Sequence, residues 1–125
     1  MGNTILLVDD SPINITLMDD ILSSKSYQVE HANNGEEALK AVYKVRPALI
    51  LLDIQMARMD GIQTMKLLRQ IKGMEKTPII AVTAYGMDGD KKNYLKRGFA
   101  EYLSKPISIP ELLRLVGKFV KSDAS

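Results

Sequence analysis

Leu49-Ile50-Leu51-Leu52-Asp53 is the segment on which the reading of this chain turns. A short run of apolar residues with no polar alternation suits a strand buried on both faces of a parallel sheet. A carboxylate closes it. The same form recurs on either side: Ile5-Leu6-Leu7-Val8 runs into Asp9-Asp10, and Ile79-Ile80-Ala81-Val82 runs into Thr83. Tyr27-Gln28-Val29-Glu30 alternates instead, as an exposed edge strand does. The short, mixed Tyr102-Leu103, followed by Ser104-Lys105-Pro106, is expected to form the opposite edge.

Helical patterns fill the intervals. Ser11 before Pro12 forms an N-cap with proline at the first helical position, and Ile13, Leu17 and Ile21 then mark an apolar face of the first helix. Ala38, Leu39 and Val42 mark a second helix, and Ile62, Met65, Leu68 and Ile71 a third. A fourth is expected from about Asp88 to Arg97, stopping at Gly98, since glycine commonly follows a helix end. The fifth opens with the capping-box pattern Ser108-Ile109-Pro110-Glu111 and continues through Leu112, Leu115, Val116 and Phe119. Five strands alternating with five helices predict an α/β fold: a doubly wound, five-stranded parallel sheet with right-handed crossovers and helices on both faces. The expected strand order is the flavodoxin-like 2-1-3-4-5.

The composition is compatible with one such domain. The chain has 125 residues, 46% of them hydrophobic and 26% charged, enough to bury a core and too apolar for disorder. We expect one domain over residues 1–121 and a short tail over 122–125. There is no cysteine, which excludes disulfides and thiolate metal sites and is compatible with a reducing cytoplasm. The opening Met1-Gly2-Asn3-Thr4 lacks the basic start and long apolar stretch of a signal peptide, and no apolar run is long enough to span a membrane. A soluble cytoplasmic protein is expected. The net charge of +2 hides an asymmetry, because the acids concentrate in the first half and the bases in the second. The bases lie at scattered helical spacings with few aromatics among them, so they predict solvated helix faces rather than direct nucleic-acid binding. One tighter cluster, Lys91, Lys92, Lys96 and Arg97, suits a docking surface.

The polar residues that close the apolar runs carry the chemistry. Asp9, Asp10, Asp53, Thr83 and Lys105 all fall at the carboxyl edge of the sheet, where open α/β folds bind ligands, at the crevice where strand order reverses. With the order 2-1-3-4-5 the reversal lies between the first and third strands, so Asp9, Asp10 and Asp53 face one another across it. Each residue alone has a plainer explanation: acids before a helix serve as caps or answer the helix dipole, an Asp ending a strand is often a turn residue, and Thr83 and Lys105 suit a strand and a turn. His31 stands alone and is expected to be a structural edge-strand residue. The methionines are expected to pack. Together, however, three carboxylates in one cleft repel unless neutralised. A hard divalent cation answers an all-oxygen set, and one or two carboxylates with waters suit magnesium. A phosphoryl group on Asp53 would add negative charge that magnesium and Lys105 could absorb, with the Thr83 hydroxyl donating to a phosphoryl oxygen.

These strand-end groups resemble the receiver domains of two-component response regulators, over nearly the whole chain. The resemblance rests on Leu7-Val8-Asp9-Asp10, on Leu52-Asp53-Ile54-Gln55-Met56-Ala57-Arg58-Met59-Asp60-Gly61, on Val82-Thr83-Ala84 and on Ser104-Lys105-Pro106, in that order. It implies that Asp53 accepts a phosphoryl group from a histidine kinase or histidine phosphotransfer protein. It also implies that Asp10 and Asp53 bind Mg2+ directly, Asp9 through water and Gln55 through its backbone carbonyl. Lys105 would pair with the phosphoryl group, and its bond to Pro106 would be cis. Thr83 and Tyr102 match the hydroxyl and aromatic pair whose rearrangement reports phosphorylation, and Gln55 and Tyr85 fall where variable residues tune dephosphorylation. The expected output is contact with a downstream protein through the fourth helix, fifth strand and fifth helix. Ala57 departs from the family, which often has proline there; the loop is loosened but no chemical group is lost.

Two kinds of alternative remain. Within the family, Met1 and the short tail suit a single-domain, chemotaxis-regulator-like receiver, which is the expectation; the alternative is the receiver portion of a hybrid histidine kinase, whose receivers Asp53-Ile54-Gln55-Met56 resembles. Outside it, an aspartyl-phosphate phosphatase of the haloacid-dehalogenase type would need an acid two residues after the nucleophile, where this chain has Gln55. A P-loop nucleotidase would need G-x-x-x-x-G-K-[ST], which does not occur. A plain flavodoxin-like binding module leaves the Asp pair and Lys105-Pro106 unexplained.

Overall fold

A computed structural model of the chain describes residues 3–56, 59–84 and 90–121, without the side chains of Asp90 and Lys91. Ala57, Tyr85, Asp88, the side chain of Lys91 and the expected tail 122–125 therefore lie outside the described residues. The elements alternate as the sequence predicts: β1 (Thr4–Val8), α1 (Pro12–Ser24), β2 (Gln28–Ala32), α2 (Gly35–Val45), β3 (Leu49–Asp53), α3 (Gly61–Arg69), β4 (Ile79–Thr83), α4 (Asp90–Arg97), β5 (Glu101–Ser104) and α5 (Ile109–Gly117). All neighbouring strands pair in parallel, in the order β2-β1-β3-β4-β5. No helix among the described residues is long and apolar enough to cross a membrane.

The apolar runs become strands because both faces of the sheet are covered. Leu6, Val8, Ile50, Leu52 and Ala81 pack with α2, α3 and Phe99 on one face. Ile5, Leu7, Leu49, Leu51, Val82 and Leu103 pack with α1 and α5 on the other. Every residue of β3 and β4 is buried, whereas Gln28, Glu30 and His31 of the edge strand β2 are exposed.

Local chemistry starts and stops the helices. The side chains of Ser11, Asn34, Asp60 and Ser108 each accept a backbone N–H three residues on, satisfying one of the donors that every helix start leaves open. The expected box at Ser108 is half formed, because the Glu111 carboxylate pairs with Arg114 at 2.6 Å instead of turning back. At the end of α4, Gly98 takes a positive φ of 112°. Its N–H donates to Leu95 and that of Phe99 to Tyr94, the paired bonds of a Schellman closure. Arg69 then fastens this turn to the body: its guanidinium donates to the carbonyls of Met74, Thr77 and Gly98.

One expectation needs correcting. Of Ile13, Leu17 and Ile21 only Ile21 packs against the core, partly buried; Ile15, Met18 and Leu22 are the buried residues of α1, while Ile13 is 79% and Leu17 42% exposed. At about 100° per residue the two sets are centred roughly 130° apart, with Ile21 at the border between them. The helix is apolar on both sides, and the sheet takes the one with Met18 and Leu22.

Candidate functional site

The first, third, fourth and fifth strands end at one edge, and the predicted groups meet there. Asp9 follows β1 directly, Asp53 ends β3, Thr83 ends β4 and Lys105 follows β5. β1 pairs with β3, which brings Asp9 and Asp53 side by side at the crevice where strand order reverses. The Lys105 ammonium lies 3.4 Å from Asp53 Oδ2 and 3.6 Å from Asp9 Oδ2. The Lys105–Pro106 bond is cis, as the resemblance implies.

The carboxylates are held from behind by backbone donors. The Ser11 N–H donates to Asp9 Oδ1 at 2.9 Å, and the Gln55 N–H to Asp53 Oδ1 at 3.0 Å. Each is an i+2 contact, the local turn that an aspartate makes readily. Their other oxygens face the cleft. Asp9 is 1% exposed and Asp53 2%, and Asp9 Oδ2 is buried without a hydrogen-bond partner. Burial pushes the Asp9 carboxyl up to about 6; the Ser11 N–H and Lys105 pull it down and the charge of Asp53 adds to the rise. Among the described residues Lys105 brings one ammonium to the two buried carboxylates of Asp9 and Asp53, and a buried anion without a full complement of partners is costly.

That imbalance fits a cation. Asp9, Asp10 and Asp53 each offer an oxygen, all within 4.8 Å of one another, with Asp10 on the exposed side. An all-oxygen set open to water on one side suits magnesium, which keeps several waters while taking one or two carboxylates.

Behind the cleft, Thr83 is fully buried. Register pairs Ala81 with Tyr102 and Thr83 with Ser104. By the two-residue period of strands, Thr83 and Tyr102 therefore share a face of the sheet on neighbouring strands. Tyr102 is half-buried, and its ring stacks on Tyr94 of α4. Lys92, Lys96 and Arg97 are exposed on the same helix.

Several contributors were not foreseen. The Gln55 side chain accepts the Ala84 N–H at 3.1 Å, bridging the loops after β3 and β4. Gly61 brings α3 so close beneath the site that a Cβ there would stand 2.4 Å from the Asp53 carbonyl oxygen. The spacing Asp60-Gly61 held the signal for both the cap and the close approach. On the near rim, Pro12, Ile13, Thr16, Leu17 and Asp20 line a shallow depression of about 430 Å³. α1 starts three residues after Asp9, so this apolar patch flanks the cleft.

Comparison with known proteins agrees with this geometry. A family model described as the response regulator receiver domain matches residues 5–117. The polar-differentiation response regulator DivK of Brucella anthropi is 33% identical over 96% of this chain and 98% of its own length. The signal transduction histidine-protein kinase BarA of Escherichia coli is 38% identical over 95% of this chain, which spans 13% of that protein. The structure of chemotaxis protein CheY4 from Vibrio cholerae superposes with a TM-score of 0.88 at 28% identity, over 96% of this chain and 100% of that one. The receiver domain of sensor histidine kinase PA1611 from Pseudomonas aeruginosa has a magnesium ion coordinated in its active site cleft. It superposes with a TM-score of 0.84 at 34% identity, over 95% of this chain and 98% of that one.

Proposed function

Because the chain belongs to the response regulator receiver domains and is a phosphorylation-activated signalling switch, we propose that Asp53 is the carboxylate that accepts the phosphoryl group. The observation that carries this assignment is the convergence on Asp53 Oδ2 of Lys105, at 3.4 Å, from a different strand. An Asp53 oxygen attacks the phosphorus of a phosphohistidine on a histidine kinase or phosphotransfer protein. The O–P bond forms as the P–N bond breaks, and the imidazole leaves with the bonding pair. Lys105, held on Asp9 and Asp53 beforehand, offers its ammonium to the charge that gathers on the phosphoryl oxygens. The buried Thr83 hydroxyl, at the end of the adjacent strand, donates to one of them.

The same residues fit magnesium: Asp10 and Asp53 as direct ligands, Asp9 through water and Gln55 by its carbonyl. An ion held there would supply positive charge to the carboxylates and the incoming phosphoryl oxygens. With Lys105 and Thr83 at Asp53 this chain assists its own phosphorylation and its later hydrolysis, and Gln55 beside Asp53 tunes the second. It turns over no other substrate.

The donor must cover the rim of the cleft to bring its histidine into bonding distance of Asp53. The exposed Ile13 and Leu17 give it an apolar seat beside that rim. Ile13→Asp is expected to slow transfer from a phosphohistidine donor while leaving labelling by acetyl phosphate unchanged. On the output side, phosphorylation draws the Thr83 hydroxyl toward the cleft and lets the Tyr102 ring move into the space released. This reshapes the surface of α4, β5 and α5 for a downstream protein partner in the cytoplasm. Incubation with acetyl phosphate and magnesium, followed by intact-mass measurement and mapping, tests the assignment. One added phosphoryl group on Asp53 is expected, lost in EDTA and in Asp53→Asn; labelling that survives either would falsify it.

A further inference from the structure

Tyr102 does not stand alone at the margin of the sheet. The Tyr94 ring lies nearly parallel to it, with centroids 5.5 Å apart and planes 20° from each other. Tyr94 also meets Phe99 in an edge arrangement, at 5.9 Å and 87°. Phe99 is 3% exposed and belongs to the core. The Schellman closure fixes this pair: Phe99 N–H donates to the Tyr94 carbonyl across Gly98, and an apolar contact between those two positions commonly accompanies the motif. Tyr94 is thus a ring anchored to the core through Phe99 and presented flat to Tyr102.

We propose that Tyr94 is a positioning residue that holds Tyr102 in its outward place and so sets the resting bias of the switch. The inference rests on the reading of Thr83 and Tyr102 as the responding pair. Thr83 lies on the same sheet face as Tyr102, one strand away, so a ring moving toward Thr83 must leave the Tyr94 stack. Stacked rings attract beyond the area they bury, and that attraction opposes the inward movement in the unphosphorylated state. The contact also gives Tyr102 a direct handle on α4. When the ring leaves, the α4 surface around Tyr94 loses its cover, so both states of the switch are written on the same helix.

The test compares Tyr94→Leu, which keeps an apolar side chain and removes the ring, with Tyr94→Phe, which keeps the ring. Beryllium fluoride with magnesium serves as the phosphoryl mimic, read by amide and aromatic NMR shifts of Thr83, Tyr102 and α4. Tyr94→Leu is expected to bind the mimic about fivefold more tightly, and its free-state Tyr102 shifts to move toward the bound position. Tyr94→Phe should restore wild-type behaviour. Nuclear Overhauser contacts between the Tyr94 and Tyr102 rings in the wild-type protein should be present without the mimic and weakened with it, an expectation independent of how any variant folds. Unchanged or weaker binding by folded Tyr94→Leu, or ring contacts that persist with the mimic, would overturn the proposal. Acetyl phosphate labelling of Asp53 in the same samples separates the two levels: normal labelling beside unmoved Tyr102 shifts removes only the Tyr94 role. Failure of labelling in wild type removes the site assignment and this role with it.

Discussion

The cleft at β1 and β3 and the margin at β4, β5 and α4 are built from different materials. In the cleft, carboxylates 1–2% exposed are tied by backbone N–H groups and a lysine within 3.6 Å. At the margin, a half-buried tyrosine rests on another ring of a short helix that is otherwise mostly polar and charged. The cleft is fixed in position and loaded with like charge. At the margin the ring contacts that join Tyr102 to α4 are weak, worth about 0.5–1.5 kcal/mol each. A switch profits from this division, because a charge change at a rigid place can tip a weakly held one.

The comparison is tested most sharply at the metal. Asp10→Ala is expected to weaken magnesium binding tenfold or more, since a direct ligand is removed. Lys105→Ala should keep or raise the affinity because a competing positive charge has gone. Calorimetric titration of both decides between ligand and counter-charge; loss of binding in folded Lys105→Ala would reverse these roles.

Rigidity beneath the cleft is tested next. Gly61→Ala places a methyl group 2.4 Å from the Asp53 carbonyl oxygen, and is expected to cost roughly 2–3 kcal/mol in urea unfolding, as overpacked sites do. A variant of wild-type stability would show that the strand end yields more easily than its contacts imply.

Charge strain in the cleft predicts a pH dependence. Folding raises the Asp9 carboxyl from 3.8 to about 6, so the folded state holds a proton there that the unfolded chain has already released. Metal-free protein should therefore lose stability as pH rises from about 4 to about 6 and carry the full cost above that. The amplitude is roughly 2–3 kcal/mol at 1.36 kcal/mol per pKa unit. Asp9→Asn should flatten this limb and raise the metal-free melting temperature at pH 7. Magnesium, which prefers the ionised carboxylate, should stabilise the wild type more above pH 6 than below it. A metal-free stability that climbs between pH 4 and 6 in the wild type but not in Asp9→Asn would contradict the sign.

The smallest expected effect lies at the margin. Thr83→Ala should accept phosphoryl groups yet lose most of the α4 amide shifts that accompany phosphorylation. Full-sized α4 shifts in the phosphorylated variant would mean that the two regions communicate by another route.

How much of the fold and site was legible in the sequence depends on where each signal lies. β3 and β4 were plain because four or five apolar residues in a row have little alternative but a covered strand. Asp9 and Asp53 were legible for a related reason: each closes such a strand, and parallel pairing carries strand ends to one edge; Lys105 follows the short, mixed β5 and was legible only as part of Ser104-Lys105-Pro106. The buried face of α1 was not legible. Ile13 and Leu17 compete with Ile15, Met18 and Leu22 on similar periodic terms, and only the sheet decides between them. Nor was the role of Tyr94, because its stacking on Tyr102 crosses from helix to strand. The Gln55–Ala84 bridge joins loops 29 residues apart, beyond any local pattern. The missing half of the Ser108 box shows a local rule losing to a nearer partner, Arg114.

Arg69 has a mechanical consequence. By binding the Gly98 carbonyl together with those of Met74 and Thr77, it makes the last turn of α4 a fulcrum. Eight residues of helix are a lever of about 12 Å, so a tilt of about 10° would carry the far end by about 2 Å and leave Gly98 nearly still. Any movement of α4 about that turn would be a pivot rather than a slide. Slow amide exchange should cluster at Gly98 and Phe99 in both states, with the change on phosphorylation growing toward Asp90. Arg69→Met would remove that fulcrum, and the slow exchange at Gly98 and Phe99 is expected to go with it.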